Sequence, residues 1–151
     1  MLTPLDIAKN IAEFLKKKFV EYDEKNYKIY AGFLPKVRSA EDAKKLTPAI
    51  VIRPLKITDD KSESFCDMVI FAVTFDDDMI FGSESLYHIL EFVRCEILVS
   101  HESKWRLKVG SMETFIPDDQ PYPLWEGRID FAVNLPQPQF TQIPSWSANV
   151  S

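Results

Sequence analysis

Residues 116–135, Ile-Pro-Asp-Asp-Gln-Pro-Tyr-Pro-Leu-Trp-Glu-Gly-Arg-Ile-Asp-Phe-Ala-Val-Asn-Leu, restrict this chain more than any other stretch. Pro117, Pro121 and Pro123 fix φ, remove backbone donors and bias the residues before them toward extended conformations, so the first half cannot be helical. Tyr122 and Trp125 give this irregular loop a large aromatic payload. After Gly127, Ile129, Phe131, Val133 and Leu135 alternate with Arg128, Asp130, Ala132 and Asn134, the period-2 pattern of a strand with one face on a core. Pro136 ends it.

The remaining elements follow from similar local rules. Thr3-Pro4-Leu5-Asp6 reads as a helix start, with Thr3 as N-cap, Pro4 at N1 and Asp6 at N3, and Leu2 and Ile7 placed to form a staple. Ile7, Ile11, Phe14 and Leu15 then share one face to about Phe19. Lys16-Lys17-Lys18 reads as the solvated end of that helix, where cations suit the dipole, rather than a phosphate or membrane patch. Tyr27–Phe33 reads as a first strand, with Tyr27, Ile29, Ala31 and Phe33 on one face. Ser39–Lys45 suggests a short capped helix or turn, and Ala49–Pro54 a buried strand. Thr58–Glu63 is charged and loop-like. Met68–Phe75 is the longest apolar run, with Val69, Phe71, Val73 and Phe75 facing one way, which makes it the candidate central strand with both faces covered. Gly82-Ser83-Glu84-Ser85 opens a second long helix, in which Leu86, Ile89, Leu90, Val93 and Ile97 form a core stripe to about Val99. Trp105–Val109 alternates as a further strand. The sum is an α+β fold: a mostly antiparallel or mixed sheet of about five strands packed by two amphipathic helices.

Residues 1–135 read as a single domain, and 136–151 as an extended arm rich in Pro, Gln, Ser and Thr. That arm carries Phe140, Ile143 and Trp146, apolar groups that need burial on the parent domain or on a neighbour. Two isolated cysteines, Cys66 and Cys95, build neither a disulfide framework nor a Cys-x-x-Cys site and point to a reducing compartment. No apolar run approaches the roughly 20 residues that span a bilayer. The net charge of −5 argues against a broad nucleic-acid footprint. Charge is uneven along the chain: 10 of the 18 basic and 7 of the 23 acidic side chains precede Ala49, leaving +3 before it and −8 after it. Regions of opposite sign could attract copies head to tail.

Catalytic and cofactor signals are weak. Gly32, Gly82, Gly110 and Gly127 build neither a dinucleotide fingerprint nor a P-loop, and Gly82–Ser85 is no nucleophile elbow. Asp76-Asp77-Asp78, at the end of the candidate central strand, could hold a divalent metal. Without a second acidic motif, it reads better as a solvated turn or a charged interface. Glu84, His88, Glu91 and Cys95 form a stripe that could hold zinc, yet one helix needs further ligands, so a solvent-facing or subunit-facing surface explains them as well. No metal, cofactor or catalytic residue is therefore assigned.

The run Pro-Asp-Asp-Gln-Pro-Tyr-Pro-Leu-Trp-Glu-Gly, residues 117–127, resembles a segment near the end of small tail-associated proteins of long-tailed bacteriophages and prophages. The nearest group in organisation is the tail terminator, or tail completion, proteins, whose element order is also similar. The resemblance implies a structural protein and no enzyme. Its subunits would form a ring, commonly of six, on the tail tube, stop tube growth and offer a surface to the head-tail connector proteins. Assembly would take place in the cytoplasm of the bacterial host, and the product would reside in the virion tail. The matching positions Pro121, Tyr122, Pro123 and Trp125 become the expected interface or loop-shaping groups, and Phe140, Ile143 and Trp146 join them on chemistry alone. A head-tail connector is the close alternative. From another class comes a ligand-binding module or metal-dependent enzyme using Asp76, Asp77, Asp78 and Glu84.

Overall fold

The computed structural model describes residues 2–22, 27–34, 36, 39–100, 104–108 and 110–137. Phe140, Ile143 and Trp146 lie outside them. The described elements run α1 (Pro4–Glu21), β1 (Lys28–Ala31), α2 (Ala40–Leu46), β2 (Ala49–Asp59), β3 (Ser64–Phe75), α3 (Glu84–Leu98), β4 (Glu113–Phe115) and β5 (Leu124–Leu135). The strands form one five-stranded sheet in the order β1-β2-β3-β5-β4. The β1–β2 pair is parallel, joined through α2, and every other pair is antiparallel. This is the α+β fold with a mixed, mostly antiparallel sheet that the sequence implied.

Helix α1 starts as its sequence dictates. The Thr3 Oγ1 accepts the Asp6 amide at 3.1 Å while Asp6 Oδ2 accepts the Thr3 amide at 3.0 Å, with Pro4 inside the first turn. Two donors that the helix cannot satisfy internally are thereby paired. The α1 stripe Ile7, Ile11, Phe14 and Leu15 is buried, as is the α3 stripe Leu86, Ile89, Leu90, Val93 and Ile97. Both helices meet the sheet in one core with Ile50, Ile52, Met68, Ile70, Ile129 and Phe131. Gly127 permits the close approach of α3 to β5, because a Cβ there would lie 2.5 Å from Leu90 Cδ1.

Strand β3 is central, paired along its length with β5 and, apart from one bulge, with β2. On its other face Val69 is buried, while Phe71 and Phe75 stack beneath Arg53 and Lys44, whose charged groups lie 5.0 and 5.3 Å from the ring centroids. Cationic side chains cover these rings where a second helical layer would otherwise be needed.

Several boundaries differ from the sequence reading. β2 runs through Pro54 to Asp59, so Thr58 and Asp59 are strand rather than loop. Pro54 is tolerated because β1 pairs only with Ala49–Ile52 and a bulge follows between Pro54 and Lys56. β5 begins at Leu124, before Gly127. The segment Trp105–Val109 is not a strand over its described part. It makes a single bridge, Leu107 to Val133, with Trp105 buried against the Phe14 ring at 5.2 Å. The edge strand is instead Glu113–Phe115, whose residues are all exposed and therefore carry no alternation. Phe33, read as sharing one face of the first strand with Tyr27, Ile29 and Ala31, lies beyond β1 and is largely exposed, with the Arg53 guanidinium over its ring at 4.0 Å.

Candidate interaction site

The proline-aromatic loop packs against the chain that links β3 to α3. Gln120 organises it from within: its side-chain amide donates to the Pro117 carbonyl at 2.7 Å and the Glu126 carbonyl at 3.0 Å, and its oxygen accepts the Glu126 amide at 2.7 Å. One side chain thus supplies to β5 the hydrogen bonds a neighbouring strand would give. The Tyr122–Pro123 peptide is cis, the Leu124 amide donates to the Pro121 carbonyl at 2.9 Å, and the Asp76 amide donates to the Pro123 carbonyl at 3.0 Å.

From this frame two aromatic groups reach across. Trp125 Nε1 donates to the Asp76 carbonyl at 2.9 Å and the Tyr122 hydroxyl donates to the Asp77 carbonyl at 2.6 Å. Their rings meet edge-on, with centroids 6.3 Å apart at 87°. Gly82 is required where Trp125 lies: a Cβ would come within 2.8 Å of its Nε1 and 2.4 Å of the Asp78 carbonyl oxygen. The linker braces itself as well. Asp78 Oδ1 accepts the Ile80 and Phe81 amides at 2.9 and 3.0 Å, and Asp76 Oδ1 accepts the Asp78 amide at 2.9 Å. The Phe81 amide, followed by that of Ile80, holds the Asp78 carboxyl below the usual aspartate range.

That bracing displays an apolar surface. Met79, Ile80 and Phe81 are 76, 77 and 61% exposed, and Tyr122 beside them is 47% exposed. Loops are ordinarily polar, so three successive large apolar side chains held outward on a hydrogen-bonded frame form a surface suited to binding another protein. Exposed Asp77, Asp118 and Asp119 add acidic groups on the same two loops.

Of the expected site residues, Pro121, Tyr122, Pro123 and Trp125 come together here, and they shape the loop through Asp76 and Asp77. Sequence reasoning missed Met79, Ile80 and Phe81. Their signal was an apolar triplet wedged between an aspartate run and a glycine-serine helix start, where nothing could bury it locally. The carboxylates of Asp76 and Asp78 point to backbone amides of their own turn. Glu91 pairs with Arg94, whose Nη2 and Nε stand 2.6 and 3.0 Å from its carboxylate, and hydrogen bonds from Arg94 bring its carboxyl down to about 2. Among the described residues no group of three or more His, Cys, Asp or Glu side chains is placed to hold a metal ion. No helix among them is long and apolar enough to cross a membrane. Comparison with protein-family models and with curated proteins finds no match to this chain.

Proposed function

We propose that this chain is a structural protein of a phage or prophage virion, similar to tail terminators. Its copies associate into a closed ring, commonly of six in the family it resembles. The ring caps the tail tube and presents a surface for joining the head through connector proteins. Its mechanism is binding geometry: no bond is made or broken, and no cofactor is required. The subunit assembles in the host cytoplasm and ends in the virion tail.

The observation that carries this reading is the exposed Met79-Ile80-Phe81 triplet, mounted with Tyr122 on a loop that Trp125 and Gly82 hold in place. A pre-ordered apolar surface loses little conformational entropy on association, which favours a defined assembly over nonspecific sticking. The resemblance of residues 117–127 to tail proteins rests on the residues that build this mount, so sequence and geometry meet at one place.

Negative-stain images of the purified protein test the reading. It predicts annular particles of fixed symmetry, and dispersed, folded subunits when Ile80→Asp and Phe81→Asp are combined. Rings unaffected by the double variant would sink the interface assignment.

A further inference from the structure

The second half of β2 has an open backbone edge. Strand β1 pairs with Ala49–Ile52 and stops there. Past Pro54, none of the described residues pairs with Leu55–Asp59 on that side, while β3 pairs with the other side as far as Asp59. The hairpin decides which groups point outward. The Asp60 amide donates to the Glu63 carbonyl at 3.0 Å, so by antiparallel alternation Thr58 and Lys56 bond to β3, and the N–H and C=O groups of Ile57 and Asp59 face the open side. Leu55 and Ile57, both more than half exposed, make this edge apolar as well. An apolar edge with unpaired amides is a template for one more strand.

The exit of the chain brings a segment to that template. β5 runs toward the β2–β3 turn and ends with Leu135 opposite Ser64. Gln137, the last described residue, donates from its side-chain amide to the Asp60 carbonyl, so the chain has turned past the end of β3 toward β2. The open side of β2 lies one strand spacing beyond that strand, about 4.8 Å. Residues 138–140, extended, cover about 10 Å.

We propose that the C-terminal arm of each subunit returns along its own β2, with Phe140–Ile143 added antiparallel to Leu55–Asp59 as a sixth strand. The direction follows from the point of entry: β2 ends at the turn where the arm begins, so a strand entering there runs against it. Composition fits the place. Phe140, Thr141 and Ile143 are β-prone and uncharged, and they are bracketed by Pro138 and Pro144, which cannot extend a ladder. The tether assigns the occupant to the same subunit, because a linker of a few residues holds the segment beside the edge at a millimolar effective concentration, above that of a second copy's arm in dilute solution. The docked arm closes an edge through which copies could pair indiscriminately and leaves association to the Met79-Ile80-Phe81 surface. It holds for a free subunit and for a ring alike.

The test combines amide exchange with cross-linking of the full-length chain. In the wild type the Ile57 and Asp59 amides should be protected, and Phe140→Asp combined with Ile143→Asp should speed their exchange at least tenfold while the β3–β5 amides, the control for folding, keep their protection. Rapid exchange at both amides in the wild type, or protection that survives the double substitution, overturns the proposal. For the occupant, Ile57→Cys and Thr141→Cys are introduced together with Cys95→Ser, since Cys95 is the exposed native thiol and Cys66 is buried. Equal amounts of nitrogen-14 and nitrogen-15 protein are mixed and treated with a short bismaleimide. Linked peptides of a single isotope are expected. Linked pairs of mixed isotope, which would put the arm on a neighbour, or no link between the two positions, overturn the assignment.

Discussion

Trp125 is a residue whose position along the chain conceals its work. Its indole N–H reaches the carbonyl of Asp76, 49 residues away, and its ring fills the space that Gly82 leaves. Trp125→Phe removes that hydrogen bond together with part of the indole that packs over Gly82, and should cost about 2 kcal/mol in urea denaturation. Gly82→Ala forces a methyl group against the Asp78 backbone oxygen and the Trp125 ring, and should cost about 2 kcal/mol. An unchanged midpoint in both would remove the proposed mount for the apolar loop. Asp78 adds a pH dependence. Its folded carboxyl titrates below the unfolded value, so its stabilisation is fully present above the unfolded range and is lost as pH falls through the depressed folded value. Asp6 and Glu91 shift the same way, Asp6 chiefly through the Thr3 amide and Glu91 to about 2 through Arg94. Melting temperature should therefore fall from about pH 5 toward pH 2, and Asp78→Asn should flatten part of that slope. A slope identical in wild type and variant would show that Asp78 does not contribute.

At the scale of elements, the helices are the most local structures and the most legible. Thr3 and Asp6 sit three residues apart, so their capping box is visible in sequence, and Thr3→Ala should lower stability by about 1 kcal/mol in thermal melts. The α3 stripe is legible for the same reason: helical periodicity reports burial directly. Sheet edges are not. β4 escapes a sequence reading because Glu113, Thr114 and Phe115 are all exposed and show no alternation, whereas Trp105 and Leu107 read as a strand because both pack on the core, with a single bridge to β5 at Leu107. The extension of β2 past Pro54 was hidden because proline ordinarily stops a strand, and only the short reach of β1 removes the need for its missing N–H. Gln120 is the least legible part of the site, since a glutamine that substitutes for a strand looks like any loop glutamine. Gln120→Ala should speed amide hydrogen exchange at Glu126 severalfold while leaving the β3–β5 amides protected. Equal exchange in both proteins would mean that the edge does not depend on it.

For the whole molecule, the β3–α3 end of the sheet gathers the Tyr122 and Trp125 loop and the outward Met79-Ile80-Phe81 triplet, while Gln137 leaves at the opposite end. A subunit whose two poles differ in this way is suited to repeat, and closure would make that repetition finite. The most direct measurement is solution mass by light scattering after size exclusion, over a wide range of protein concentration at low and high salt. The ring account predicts one closed oligomer, near six subunits, whose mass stays constant as concentration rises and which Ile80→Asp with Phe81→Asp converts to folded monomer. A monomer at every concentration, or a mass that climbs without limit, would contradict it.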